Sequence, residues 1–279
     1  MTFALVLFTG RPIYRPSANL GRTAVIQTDI APIDQLWRSV RREAESALAC
    51  DPPFGASLSA AILDHPGLGS ALAHQIGERL GKTAADRQLF ARVAREAHHA
   101  SPDLVDAASR DLHSIAVHDP ATAGLLWPLL NFKGFVALQA WRVSNWLWHR
   151  DRTDLALLLQ SLSSDSLQVS IHPSASIGTS VFLDHATGII VGAFVVIGDG
   201  VTIMQNVTIG RKQALPDRAP RIGRGVLLGT GATILGDVRI ADFAKIGAGS
   251  VVENDVPQGC TAVGVPARLA NCTEAGPPA

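Results

Sequence analysis

The run Leu183-Asp184-His185-Ala186-Thr187-Gly188 holds the only histidine downstream of His172. An imidazole near its ordinary pKa can take a proton from a hydroxyl at neutral pH, so His185 is a candidate general base. On spacing alone a single histidine is more often structural, and the run by itself leaves both readings open. His172, in Ile171-His172-Pro173, reads as the entry residue of the repeats that follow. His98 and His99 are adjacent, and neighbours on a helix cannot face one metal. Cys50, Cys260 and Cys272 are widely spaced and form no C-x-x-C pair, so neither a disulfide framework nor a zinc site is expected. A reducing cytoplasm fits that usage, and no metal is expected.

The elements that position these residues have two different periods. After Val169 aliphatic residues recur every sixth position at Ile171, Ile177, Leu183, Ile189, Val195, Val201 and Val207. After a step of fifteen they resume at Ile222, Leu228, Ile234, Ile240, Ile246 and Val252. A second row of small or aliphatic residues sits two positions earlier, as at Val169, Ala175, Val181, Val226, Ala232, Val238 and Ala244. Hexapeptide periodicity predicts a parallel β-helix whose coils stack aliphatic side chains inside. The step of fifteen assigns nine extra residues to a loop within Arg211 to Arg221, the place where such a solenoid tends to carry a binding face.

Upstream the spacing is helical. Ile33, Leu36, Trp37, Val40, Ala44 and Leu48 form an i, i+3, i+4, i+7 stripe, and further stripes cover Leu58 to Leu80, Arg87 to Ala97, Leu104 to Val117 and Phe135 to Trp148. The fold class is therefore α+β, an N-terminal α-helical domain followed by a parallel β-helix. The boundaries read as an extension over 1–32, a helical domain over 33–165, the β-helix over 166–268 with a loop at 211–221, and a short tail over 269–279. Trp127, Trp141, Trp146 and Trp148 are expected to be packing residues.

The 279 residues carry 24 Lys plus Arg against 24 Asp plus Glu, so no basic field exists to hold nucleic acid or an anionic membrane. With 47% apolar and 17% charged residues the chain can bury a core. The apolar run Phe3 to Phe8 is too short to span a bilayer and lacks signal-peptide flanks.

The runs Lys133-Gly134-Phe135, Ala137-Leu138-Gln139-Ala140, Trp146-Leu147-Trp148, Ile171-His172-Pro173, Leu183 to Gly188 and Gly264-Val265-Pro266-Ala267-Arg268 together resemble bacterial serine acetyltransferase. The resemblance covers about 33–270 in the same order. It implies a left-handed β-helix, assembly as a homotrimer or a dimer of trimers, and acetyl transfer from acetyl-CoA to a small-molecule hydroxyl acceptor, L-serine in the family. It makes His185 the base that deprotonates the acceptor. It also places the thioester in a groove between neighbouring β-helices near Gly210, Gly229, Thr230 and Ala248, with Lys245 and Arg268 as phosphate partners.

Among acceptor-binding positions, Asp184 and Arg218 match the family and three do not. Ser170 stands before Ile-His-Pro, where the family has the Asp that orients the imidazole. Ser101, before Pro102, stands where we align the family's Asp that meets the substrate ammonium. Ala219 stands where the family has a His that helps hold the substrate carboxylate. The stretch Gly210-Arg211-Lys212-Gln213 also replaces the family's Gly-Gly-Thr-Gly-Lys. Hydrogen bonds to charged groups contribute about 1.5–3 kcal/mol each, so losing two would weaken serine recognition several hundred-fold. The acceptor is accordingly expected to have changed from free L-serine to another small hydroxy amino acid or alcohol. The alternatives are an ordinary L-serine O-acetyltransferase with compensating residues, and a weakly active scaffold. Family members end in a tail whose terminal Ile docks into cysteine synthase; Ala279 does not match, so no cysteine synthase complex is expected.

Overall fold

The computed structural model of the chain describes residues 32–122, 124–212 and 218–272. Residues 1–31 of the expected extension, 213–217 of the loop and 273–279 of the tail, with Ala279, lie outside them. The helical region contains α1 (Ile33–Cys50), α2 (Gly55–Leu58), α3 (Leu68–Leu80), α4 (Ala84–Ala100), α5 (Asp103–His118), α6 (Leu126–Asn131), α7 (Lys133–Trp148) and α8 (Thr153–Leu167). The stripe of α1 buries Leu36, Trp37, Val40 and Ala44 as its spacing predicts. The stripe read as Leu58 to Leu80 is divided: a π-helical turn over Ser59–Leu63 precedes α3, and the chain breaks between them at Pro66-Gly67. Thr83 and Asp86 start α4 with a reciprocal capping box. The sequence reading missed α6 and α8. In α8 the run Leu155 to Leu159 is apolar without a period, yet only Ala156 and Leu159 of that run are buried. Among the described residues no helix is long and apolar enough to cross a membrane.

The β-helix winds through three parallel sheets. Its first coil holds β1 (Val169–Ile171), β2 (Ser176–Ile177) and β3 (Phe182–Leu183), and its second β4 (Ile189–Val191), β5 (Val196–Ile197) and β6 (Thr202–Ile203). The third holds β7 (Thr208–Gly210), β8 (Arg221–Ile222) and β9 (Leu227–Leu228), and the fourth β10 (Thr233–Leu235), β11 (Arg239–Ile240) and β12 (Lys245–Ile246). A partial fifth coil, β13 (Val251–Val252) and β14 (Thr261–Val263), closes with β15 (Arg268–Asn271) folded back antiparallel on β14. The sheets run β1-β4-β7-β10-β13, β2-β5-β8-β11 and β3-β6-β9-β12-β14-β15.

All thirteen hexad positions are buried, but their register corrects the simple count. Ile171 pairs with Val191, not Ile189, and Val191 with Ile209; likewise Leu183 pairs with Ile203. Ile189, Val195, Val201 and Val207 therefore continue the row of Val169, Ala175 and Val181. From Leu183 to Val191 the chain takes eight residues instead of six, and from Ile209 to Ile222 thirteen. Of the nine extra residues assigned to one loop, two belong to the turn that carries His185 and seven to the loop. Because both rows are aliphatic, a shift of two between them left no mark on the pattern.

A second correction concerns the cysteines. Cys272 follows β15, and the antiparallel return of that strand joins it to Cys260 in a disulfide, leaving Cys50 free.

The two regions share one apolar core running from Ile76, Val93 and Leu138 through Val169 into the ladder. They are pinned by the fully buried carboxylate of Asp111 on α5. It accepts from Gln139 Nε2 (3.0 Å), from Arg142 Nε and Nη2 (3.1 and 2.7 Å) and from the Val181 amide (3.0 Å), while Arg142 also donates to Gly178 O (2.8 Å). Burial pushes the Asp111 carboxyl up, and the Arg142 guanidinium opposes it. Removing one partner strands the other charge in the core, so Asp111→Ala should destabilise the fold by about 3–5 kcal/mol in chemical unfolding; a change under about 1 kcal/mol would contradict this role.

Burial also lowers the pKa of His98, whose Nδ1 donates to Gly69 O (2.9 Å), and of His74, where the His65 ring adds to the effect. With folded-state values below the unfolded value of about 6.5, the unfolded chain binds more protons as pH falls. Stability from this source is present above that value and lost below it. The thermal midpoint should drop between pH 7 and pH 5, and His98→Asn should flatten part of the slope; an unaltered slope would exclude His98 as a source.

Candidate active site

The turn between β3 and β4 contains the two-residue insertion. His185 and Ala186 adopt successive left-handed conformations, φ 55° and 59°. Such conformations cost about 1–3 kcal/mol in non-glycine residues and persist only when the surroundings fix them. Here Ala186 is fully buried, its amide and that of Thr187 donate to Asp184 O (2.6 Å) and His185 O (2.8 Å), and the Asn206 amide donates to Thr187 O (2.7 Å). The N-terminus of α7 presses on the same turn: a Cβ at Gly134 would stand 2.3 Å from Leu183 O and 2.8 Å from Ala186 Cβ. Lys133 Nζ donates to Thr187 Oγ1 and to Gln168 Oε1 (3.3 Å). The turn thereby holds the His185 side chain outward, 75% exposed, with Asp184 Oδ1 3.7 Å from its Nε2.

His185 opens into a cleft of about 700 Å³ between this turn, the end of α5 and the α6–α7 junction. Its walls include His118, Asp119, Trp127, Lys133 and Asp184. Trp127 is 60% exposed on that wall, which corrects its reading as a packing residue; Trp141 and Trp146 are buried. The Asp119 carboxylate accepts from the Ala121 amide (2.8 Å) and Thr122 Oγ1 (3.0 Å), an arrangement that fixes it beside His185's cleft. Sequence reasoning passed over Asp119 and weighed Ser101 instead. The available signal was Asp119-Pro120, an intact Asp-Pro pair at the end of α5. Ser101 is at the α4–α5 junction, where its hydroxyl accepts from Trp146 Nε1 (3.0 Å), and it does not line the cleft. Ser170 accepts from Gln160 Nε2 (3.2 Å), and among the described residues it makes no hydrogen bond to His185. Ala219 is buried, and Arg218 follows the loop after β7, at the corner on the opposite side of the β1–β13 sheet from His185. That corner also carries His172, whose pKa is lowered by burial and then by Arg211.

Below His185 the same edge of the solenoid carries the Gly229-Thr230 and Ala248 turns, stacked coil on coil. The Gly231 amide donates to Gln205 O (2.9 Å) and the Gly249 amide to Thr230 O (2.8 Å). A Cβ at Gly229 would meet the Ala248 amide and Ile246 O at 2.8 Å, so the turns stack only because that residue is glycine. At about 4.8 Å per coil, Ala248 lies three coils, roughly 14 Å, from the His185 level. Lys245 and Arg268 are exposed on the adjoining sheet, on β12 and β15. Gly210 lies instead at the end of β7, where the loop leaves. The structure thus groups His185, Gly229, Thr230 and Ala248 on one edge and separates them from Gly210 and Arg218 within a single chain.

Comparison with known proteins gives a consistent result. Residues 36–140 match the family model described as serine acetyltransferase, N-terminal, and residues 219–254 match bacterial transferase hexapeptide (six repeats). The serine acetyltransferase of Escherichia coli K12 is 42% identical over 238 residues, covering 85% of this chain and 87% of that protein. A solved serine acetyltransferase in complex with CoA superposes with a TM-score of 0.83 at 38% identity, covering 86% of this chain and all of that one. Soybean serine acetyltransferase complexed with serine gives 0.83 at 42% identity, with the same coverage.

Proposed function

Because this chain belongs to the serine acetyltransferase family, we propose that it transfers the acetyl group of acetyl-CoA to the hydroxyl of L-serine. It is an acetyl-CoA-dependent acyltransferase, and acetyl-CoA is its co-substrate. The comparisons favour L-serine over a changed acceptor: relatives at about 40% identity carry the serine acetyltransferase name, and one is solved with serine bound. The observation that carries the reading is the placement of Asp119 in His185's cleft, because it supplies the ammonium partner that Ser101 lacks.

In the reaction His185 accepts the hydroxyl proton as the serine oxygen attacks the thioester carbonyl. The tetrahedral intermediate collapses, the C–S bond breaks, and the imidazolium returns the proton to the CoA thiolate. Asp119 and Asp184 face the ammonium. CoA follows the Thr230–Ala248 edge, with Lys245 and Arg268 toward its phosphates and Gly210 at the far side of the groove. Arg218 reaches the acceptor from a neighbouring chain, which makes the assembly a trimer with shared sites. Exposed Ile190, on β4 between the two corners, and exposed Phe194, at the Arg218 corner, supply an apolar contact for that assembly.

The test is thiol release from acetyl-CoA by the purified protein with L-serine, D-serine, L-homoserine and hydroxy acids. Fast turnover on L-serine alone is expected. Preference for another acceptor would reinstate the changed pocket, and silence with CoA bound would point to the scaffold.

A further inference from the structure

We propose that Lys133 is a specificity-determining residue that binds the acceptor's carboxylate; this rests on the L-serine reading and deepens it. Serine brings two opposite charges to the cleft. Asp119 and Asp184 answer the ammonium, but among the described residues the side chains facing that cleft offer the carboxylate a single permanently charged cation, the Lys133 ammonium. Its hydrogen-bond partners, Thr187 Oγ1 and Gln168 Oε1, are neutral, and among the described residues no carboxylate lies within ion-pair distance of it. An ammonium with two neutral acceptors keeps one N–H and its full charge for a ligand. The partner is rigidly placed, because Gly134 next to it packs α7 directly on the His185 turn. Ala219 has no polar group with which to serve the carboxylate, so the burden falls on Lys133 and Arg218.

The experiment compares L-serine with L-serinamide, which keeps the hydroxyl and ammonium and replaces the carboxylate with a neutral amide, for wild type, Lys133→Met and Lys133→Arg. Wild type should prefer L-serine. In Lys133→Met, kcat/KM for L-serine should fall about 10–100-fold, mostly through KM, while that for L-serinamide changes little and the KM for acetyl-CoA holds. Lys133→Arg should recover much of the serine preference. Equal losses on both acceptors would mean that Lys133 only braces the turn through Thr187, and would overturn the proposal, as would an unaltered preference for L-serine. Absence of L-serine turnover in the wild type would instead overturn the serine reading on which the proposal stands. Circular-dichroism melts of each variant separate these outcomes from loss of fold.

Discussion

Replacing His185 with alanine should lower kcat for acetyl transfer to L-serine by about 10²–10⁴-fold and leave CoA affinity unchanged. The geometry gives both halves of that expectation. The imidazole is exposed and makes no hydrogen bond within the described residues, so its removal opens no cavity and frees no buried donor. The edge assigned to CoA descends from Gly229, two coils from His185, to Ala248, three coils from it, and is held by backbone hydrogen bonds that alanine at 185 does not touch. Single-turnover thiol release together with calorimetric CoA titration checks the result. A kcat within tenfold of wild type would remove His185 from its role as base; parallel loss of CoA binding would show that the turn had collapsed.

The second large effect separates two assignments of the position that meets the acceptor's ammonium, Asp119 and Ser101. Asp119→Asn should reduce kcat/KM for L-serine about 10–100-fold, chiefly by raising KM, whereas Ser101→Ala should leave it near wild type. In asparagine Oδ1 still accepts from the Ala121 amide while Nδ2 donates to the Thr122 hydroxyl oxygen, so the loop after α5 keeps its form and only the charge is lost. Ser101 makes its hydrogen bond to Trp146 inside the helical region, and its loss is a matter of packing. If Ser101→Ala proved the damaging change and Asp119→Asn the silent one, the acceptor pocket would have to be redrawn around the α4–α5 junction.

Much of this architecture is legible along the chain because it is repetitive or periodic. An aliphatic residue every sixth position has few uses other than filling a coil, and the helical stripe of α1 needs no partner to be recognised. His185 was visible for a different reason, a short motif that resembles a family. Asp119 was not, since an Asp-Pro pair is common turn chemistry and nothing local says which of two such junctions will face the histidine. That was decided by Asp111, whose buried bonds to Arg142 and Val181 fix α5 against the first coil and so carry its C-terminus to the His185 turn.

By itself, then, the sequence determined the two periods, and with them the α-helical region and the parallel β-helix. Those properties depend on which side chains avoid water, and each is set within a few residues. Only the tertiary structure decided the register, the grouping of the site and the joining of Cys260 to Cys272. Leu183 pairs with Ile203 because hydrogen bonds between coils override a six-residue count, and the two residues they leave unpaired become the strained turn that presents His185. Distances between segments far apart in sequence depend on how whole elements pack, and no local pattern encodes them.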